Sequence, residues 1–592
     1  MINDLKKPAV YAREFRQIKQ SNADLNVINL AYLSSYTSEI LEPYIGVELR
    51  QFDFFVNNYF APFNQFEQEV FEKNSLLYKH NPDIIVIHNM LEDMYPSLAV
   101  RFSRYSESEL EEITYKFLSR YDSIIKAIRK NSNSIIICIN SSAINYQSND
   151  LVHSPIMHKK NNFVYELNVK FLSLCSLTSS CHVLDYMSII SQVGLVNWID
   201  QKLYLMAKIP FSQLGQIALG RSIARMVNSV KNQSSKCLVF DLDNTIWSGV
   251  IGEDGMSGIQ LGDSYPGNSF KNFQREILKL YDQGIFLAVA SKNNIDDALE
   301  VFRNHSDCLI KEKHLSSIEI NWNDKATSIQ KISKQLNIGL DAIVFFDDNP
   351  VERDLVSTYL PEVKVIDVPE NHILYSDALN NSGYFDIISI TADDKNRTKM
   401  VKQNILRDEL KDNSRDLSSF LSNLAIQINV DLVSGINIAR VVQLINKTNQ
   451  FNLTTQRYSE VEIQNLIELG HIVLYLQTSD RFGDSGISGV AIIKNHNDTW
   501  QIDSLLLSCR ILGKKIETAF LFEIISIVKA RGAKRLQGLY KPTLKNSMTS
   551  SFYDNHGFNM INKKDNTWEY DLSIVPKNID YIKVNRIKND SP

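Results

Sequence analysis

Near the middle of the chain, a hydrophobic run stops on two aspartates one residue apart: Cys237 to Thr245 reads CLVFDLDNT. A run of consecutive apolar residues suits a strand buried on both faces, as the inner strands of a parallel α/β sheet are. In open sheets of that kind, ligands gather at the carboxyl ends of the strands, which puts Asp241 and Asp243 where chemistry is done. A carboxylate in that position can attack phosphorus and form an aspartyl-phosphate. A second carboxylate just beyond it can protonate the leaving oxygen and later activate water. A single pair is weak evidence, because Asp and Asn also cap helices and shape turns.

The remaining parts of such a site follow in order. Ser291 ends the next strong strand, AVASKN, where its hydroxyl and the neighbouring amides can bind phosphate oxygens, with Lys292 and Asn244 in the same phosphate-binding set. Lys325 opens a helix in NWNDKATS, where a cation can pair with nucleophile and phosphate. Asp347 and Asp348 end a third strand in FFDDNPVER and add oxygen ligands for a hard cation. Mg²⁺ would neutralise the gathered carboxylates and the phosphate, as phosphoryl transfer by positioning and electrostatics requires.

This ordered set resembles the signature of the haloacid-dehalogenase (HAD) superfamily. The longer strings DLDNTIWSGVIGEDGMSGIQLG, NWNDKATSI and FFDDNPVERDLV are similar to its subfamily IIIC, the FkbH-like proteins. NKTNQFNLTTQRYS (Asn446–Ser459), DRFGDSG (Asp480–Gly486) and SCRILGKKIE (Ser508–Glu517) extend the match, so that it runs from about Ser235 to Phe558. The resemblance implies Asp241 as nucleophile and Asp243 as acid/base, with phosphate contacts from Ser291 and Lys325. It implies a Mg²⁺ held by Asp241, the Asp243 carbonyl and one or both of Asp347 and Asp348. Members of the family remove phosphate from 1,3-bisphosphoglycerate and load the glyceryl group onto the phosphopantetheine thiol of an acyl carrier protein. The chain departs from the family at Ala290, where relatives carry Cys. Cys237, four residues before Asp241 on an extended strand, lies ~13 Å from it and reads as a core residue. Cys509 also reads as structural.

Between Thr245 and Ser291 the chain has room for a small hairpin flap and one helix, too little for a large lid domain. Such a capless site suits a substrate presented on a carrier arm, unless a neighbouring domain supplies the lid.

Two further resemblances flank this region. In the third block a strand at Gln501–Leu507 leads through Arg510, Gly513 and Lys514 into an amphipathic helix, Ile516 to Ala530, as in GNAT acetyltransferases. There, backbone amides at the helix N-terminus bind the pyrophosphate of coenzyme A. Asn546 and SFYDNHGF, with Tyr553 as an acid, are similar to the later GNAT motif, while Lys515 stands where a small residue is expected. Binding of CoA or phosphopantetheine, packing alone, and acetyl transfer all remain open readings. The first block, opening on VINLAYLSSYTSEIL, resembles SGNH hydrolases without their machinery. Its turn is Leu33-Ser34-Ser35 without Gly-Asp, and Asp200-Gln201-Lys202-Leu203 has Leu where His is needed. His88 reads as structural, and no hydrolase activity is expected from a serine without its base.

The expected fold class is therefore α/β in three domains. These are a degenerate SGNH-like parallel sheet (1–228), a capless HAD Rossmann-like domain (235–389) and, after a helical connector (390–425), a GNAT-like domain (426–575) with a polar tail (576–592). With 592 residues, 44% of them hydrophobic, and a net charge of −5, nothing calls for nucleic acid or an anionic membrane surface. Six scattered cysteines without metal spacing fit a reducing compartment, and no apolar run is long enough to span a bilayer. The expectation is a cytoplasmic enzyme whose partners are an acyl carrier protein and a small phosphorylated substrate. A plain small-molecule phosphatase and a non-catalytic carrier-binding scaffold are the alternatives.

Overall fold

The computed structural model describes residues 8–20, 26–142, 155–231, 235–388, 410, 417–496, 498–508, 511–543, 545–574, 576 and 579–585. Cys509, Arg510, most of the connector and the end of the tail lie outside them. The protein is a multi-domain α/β fold in two compact units: Met1–Lys231 with Ser459–Glu462, and Asn232–Tyr458 with Ile463–Pro592.

The first unit is built on a wholly parallel sheet ordered β2-β1-β3-β4-β5. Its strands are β1 (Asn26–Ser34), β2 (Phe54–Phe60), β3 (Ile84–His88), β4 (Ile135–Ile139) and β5 (Cys181–Leu184). β3 is buried at every position, which is why the near-unbroken apolar run was legible as a strand. The long helix Glu107–Asn131 starts on a reciprocal capping box between Ser106 and Glu109 and ends on Arg129 and Lys130, the charge order its dipole favours.

At the carboxyl ends of β1 and β3, the polar residues are tied to one another. Ser35 Oγ donates to Asp93 Oδ2 at 2.8 Å and accepts from the Met90 amide at 3.0 Å, while Tyr204 donates to Asp93 Oδ1 at 2.7 Å. Ser34 donates to the Tyr36 carbonyl at 2.8 Å. Asp200 caps the helix Gln201–Ala207 by accepting from the Leu203 amide at 2.9 Å. His88 sits among Tyr36, Tyr186 and Phe211, and its Nδ1 shares a 2.6 Å hydrogen bond with the Tyr36 hydroxyl.

Burial pushes the His88 imidazole down to about 3 from the usual 6.5, so it is folded in neutral. A group with a depressed folded pKa lets the unfolded chain take up the proton first. Its contribution to stability is complete above about pH 6.5 and is lost as pH falls toward 3. Between pH 7.5 and 5.5 this one group should cost the first unit about 1.4 kcal/mol in denaturant unfolding. His88→Asn, which keeps an acceptor at the δ position, should flatten that slope.

The second unit opens with a second parallel sheet, ordered β10-β9-β6-β7-β8. It comprises β6 (Cys237–Phe240), β7 (Phe286–Ser291), β8 (Leu315–Ile320), β9 (Ile343–Phe346) and β10 (Lys364–Val365). Two buried clusters cover its faces, one around Trp247, Phe273 and Phe346 and the other around Ala288, Ile329 and Phe345. The flap after Thr245 is not a hairpin. Backbone bonds between Ser248 and Gln260, at 3.2 and 2.9 Å, close a loop around a short helix, Ile251–Gly258. Acidic Glu253 and Asp254 suit that helix's first turn. It breaks at Gly255, whose φ of 67° and ψ of 177° suit a residue without Cβ.

The third sheet has eight strands ordered β16-β17-β15-β14-β13-β12-β11-β18. They are β11 (Ile426–Leu432), β12 (Ile472–Asp480), β13 (Gly483–His496), β14 (Thr499–Leu507), β15 (Arg535–Leu539), β16 (Asn559–Asn562), β17 (Thr567–Tyr570) and β18 (Ile582–Asn585). The β14–β15 and β11–β18 pairs are parallel and the rest antiparallel. β18 lies within the stretch read as a polar tail, 576–592, and pairs with β11. Ile582 is buried against β11 while its neighbours in the strand stay polar or half-exposed, a pattern too short to stand out in sequence.

Candidate functional site

β6, β7 and β9 lie side by side in the second sheet, and the sequence-predicted residues stand at their carboxyl ends. Asp241 continues β6, its amide donating to the Phe346 carbonyl at 3.1 Å. One carboxylate oxygen each from Asp241, Asp347 and Asp348 lies within 4.8 Å of the others. Lys325, at the first turn of the helix Lys325–Leu336, reaches into this group. Its Nζ is 2.9 Å from Asp241 Oδ1 and is paired also with Asp347 Oδ2. Asp324 caps that helix through the Thr327 amide, at 2.7 Å, and so fixes where the lysine begins.

The electrostatics follow from crowding like charges where water is scarce. Burial first, and then the charge of Asp241, push the Asp347 carboxyl up to about 7. The same two causes raise Asp348. Burial also raises Asp243. Burial alone would lower Lys325, but Asp241 and Asp347 outweigh it and its ammonium is held above the ordinary range. One cation therefore faces three carboxylates. Asp241 Oδ1, though within ion-pair range of Lys325, is buried without an aligned hydrogen-bond donor. Oxygen-only donors, excess negative charge and a carboxylate oxygen short of donors fit a hard divalent cation such as Mg²⁺.

Asp243 is aimed elsewhere. Its Oδ1 accepts from the Trp247 indole at 2.8 Å and from the Ile251 amide at 3.1 Å, and its Oδ2 accepts from Asn293 Nδ2 at 2.8 Å. Its carboxylate is outside the cluster of three, which leaves only its backbone carbonyl for a metal. Trp247 and Asn293 were not singled out in the sequence, although both lie inside the motif strings. A third unassigned residue, Arg353, donates to the Asp347 and Asp348 carbonyls at 2.9 and 2.8 Å and holds that loop.

Ser291 ends β7 and is buried. Two further members of the expected phosphate set have partners within the protein. Asn244, at a left-handed φ of 53°, accepts from the Gly249 amide at 2.9 Å and braces the flap. Lys292 pairs with Glu352 at 2.6 Å. Thr245 takes a place that was not foreseen, donating to Asp348 Oδ1 at 3.0 Å. Ala290 is fully buried inside β7, and Cys237 is a core thiol raised by burial.

Of the ligand residues expected on the third sheet, Arg510 lies outside the described residues, and Asn546 and Tyr553 are buried. β14 and β15 pair only from Thr499 to Ile502, and beyond that they part. The gap is filled by the chain itself: Leu453 donates to the Leu505 carbonyl at 3.1 Å and Leu507 to the Phe451 carbonyl at 3.0 Å. Asn546 is fully buried and spends its amide inward, donating to the Asn452 and Lys541 carbonyls at 2.9 Å and accepting from Thr543 at 2.7 Å. Tyr553, expected as an acid, is 1% exposed and packs under Gly538, and burial raises its hydroxyl. Asn546 thus ties three backbone segments together, while the Tyr553 hydroxyl is buried without a hydrogen-bond partner among the described residues. Gly513 takes a φ of 76°, and Lys514 approaches Asp480 at 3.9 Å. Lys515, left-handed at φ 61° before the helix Ile516–Ala530, lines a groove of about 650 Å³ with Thr518, His556, Tyr570 and Tyr581.

Comparison with known proteins gives a partial likeness. No family model matches the chain, and no curated protein does. Among solved structures, it is similar to the N-terminal part of the protein BF1531 from Bacteroides fragilis, which contains a phosphatase domain and was solved in complex with Mg. That likeness has 26% identity, covers 64% of this chain and 99% of that one, and has a TM-score of 0.56. An N-acetyltransferase from Staphylococcus aureus Mu50 aligns over 24% of this chain and 98% of its own at 14% identity, with a TM-score of 0.20. A GNAT acetyltransferase from Elizabethkingia anophelis with acetyl-CoA bound aligns over 24% and 97% at 12% identity, with a TM-score of 0.19. Among the described residues no helix is long and apolar enough to cross a membrane.

Proposed function

We propose that the chain is a Mg²⁺-dependent phosphatase and acyltransferase of the FkbH-like type. It would dephosphorylate 1,3-bisphosphoglycerate or a related acyl phosphate and load the glyceryl group onto an acyl carrier protein. The observation that carries the phosphatase half is the convergence of Asp241, Asp347 and Asp348, the first two paired with Lys325, with Asp243 held two residues from the nucleophile. The likeness to a Mg-bound phosphatase domain supports it.

In this reading Asp241 attacks the phosphorus of the phosphomonoester and the P–O bond to the substrate breaks. Asp243 gives its proton to the leaving alkoxide, for which its raised carboxyl is suited. Asp243 then takes a proton from water, whose oxygen attacks the aspartyl-phosphate and releases phosphate and free Asp241. The Trp247 and Asn293 bonds hold Asp243 in place for both transfers. A cation held by Asp241, Asp347, Asp348 and the Asp243 carbonyl would offset charge on the transferring phosphoryl group. For acyl transfer, the carrier thiolate attacks the acyl carbon, the C–O bond to phosphate breaks and a thioester forms. The flap leaves the site without a large cap domain, as a tethered substrate would require.

A second reading, a plain small-molecule phosphatase, draws on Ala290, because no thiol stands at that position to relay an acyl group. Intact-protein mass spectrometry separates the two. Protein, Mg²⁺, freshly generated 1,3-bisphosphoglycerate and holo carrier protein should give a carrier with a glyceryl adduct, absent with Asp241→Asn. Phosphate release without an adduct would favour the plain phosphatase.

A further inference from the structure

The fold brings together three cysteines that are scattered in sequence. Cys138 lies on β4, Cys181 opens β5, and Cys175 is in the last turn of the helix Pro155–Ser176. The parallel register pairs Ile136 with Cys181, which puts Cys138 and Cys181 on one face of the sheet, the face that this helix covers. Their three Sγ atoms lie within 4.8 Å of one another, and all three residues are buried.

Beside them is a cation that, among the described residues, lacks a carboxylate partner. Arg129 donates to the carbonyls of Ser134, Ser179 and Ser180, the last two at 2.9 and 3.0 Å, while its Nε is buried with no partner. Ser179 and Ser180 directly precede Cys181, which sets the guanidinium beside the cluster. A guanidinium out of water is costly unless an anion offsets it, and metal-bound thiolates would supply one.

We propose that Cys138, Cys175 and Cys181 bind one thiophilic divalent cation of the Zn²⁺ class, with Arg129 balancing the charge. Thiolates select soft and borderline metals, whereas Mg²⁺ needs oxygen. Metal–sulfur bonds of about 2.3 Å place sulfurs about 3.8 Å apart, so the three Sγ atoms need to close by no more than about 1 Å. Three thiolates exceed the charge of a divalent cation by one, which the guanidinium neutralises. Each bond replaces an S–H proton, so three protons leave for solvent. Buried as it is, the site would fill as the chain folds and would tie the end of the helix to the last two strands, a structural and not a catalytic role.

The test uses the full chain, expressed with added zinc, purified under reducing conditions and washed with a weak chelator. Elemental analysis should find about one zinc per chain that survives the wash. Exchange with Cd²⁺ should produce an ultraviolet thiolate-to-cadmium absorption, which oxygen ligands at the aspartate cluster would not give. Cys175→Ala and the triple Cys→Ser variant should lose both signals, and Cys237→Ser should keep them. The cadmium band of the unmodified chain decides the matter even if a variant fails to fold. Absence of that band, zinc retained by the folded triple variant, or a disulfide among the three in the reduced preparation would each overturn the site.

Discussion

Asp241→Asn should cut phosphate release from an activated aryl phosphate in Mg²⁺ by about 10³-fold or more, since it removes the atom that attacks phosphorus. A loss of turnover alone would not separate chemistry from unfolding, and the charge balance of the site supplies the second readout. In the metal-free protein the Asp347 carboxyl is raised to about 7, with Asp241 the main charge acting on it. A raised folded carboxyl contributes stability that is full below its unfolded value near 3.8 and is lost as pH rises through about 7. Without metal, the second unit should therefore weaken by a few kcal/mol between pH 4 and 8. The Asp241→Asn change removes one of the repelling charges, so the variant should be the more stable protein at pH 7.5 in EDTA while being inactive in Mg²⁺. Equilibrium unfolding in EDTA, beside the phosphate assay, checks both. An inactive variant that is also less stable would mean that Asp241 serves the fold, and the nucleophile assignment would fall.

The parts of this site that were legible share one property: the residues signal locally what they do. CLVFD and IVFFDD are strands by apolar run and functional by their terminal carboxylates, so their placement needed only the rule that ligands sit at strand ends. Lys325 was legible because Asp324 marks the helix start one residue before it. What stayed hidden depends on partners distant in sequence. Asn293 is 50 residues from Asp243 and Arg353 receives its role from carbonyls, which have no sequence signature. β8, LSSIEI, is half polar because it is at the sheet edge. The three thiols are separated by 37 and 6 residues, spacings that match no local metal motif, and parallel register alone unites two of them. Asn546 and Tyr553 stand at motif positions, yet their surroundings bury both.

Lys325→Met should produce the largest loss of stability of any single change at the site. The ammonium is 4% exposed and pairs with two carboxylates that are themselves almost dry. Breaking a buried pair by removing one partner leaves uncompensated charge, typically at a cost of about 3–5 kcal/mol. Here the remaining carboxylates repel one another, so at pH 7.5 in EDTA the variant should fall at or above the upper part of that range. Two conditions should restore it. Lowering the pH lets Asp347, raised already in the parent, take up a proton. Saturating Mg²⁺ adds positive charge at the oxygens the lysine has left, so the difference from the parent should shrink and the midpoint of the variant should depend more steeply on Mg²⁺. Activity should not follow stability back. With Mg²⁺ present the variant should fold yet turn over roughly 10²-fold more slowly or worse, because the group that orients Asp241 is missing. Lys325→Arg tests the geometry, since a planar fork does not reproduce a point charge shared between two oxygens on different strands. A metal-free Lys325→Met protein as stable as the parent would show that the carboxylates share protons among themselves and never needed the lysine. The role of the lysine would then be confined to the reaction.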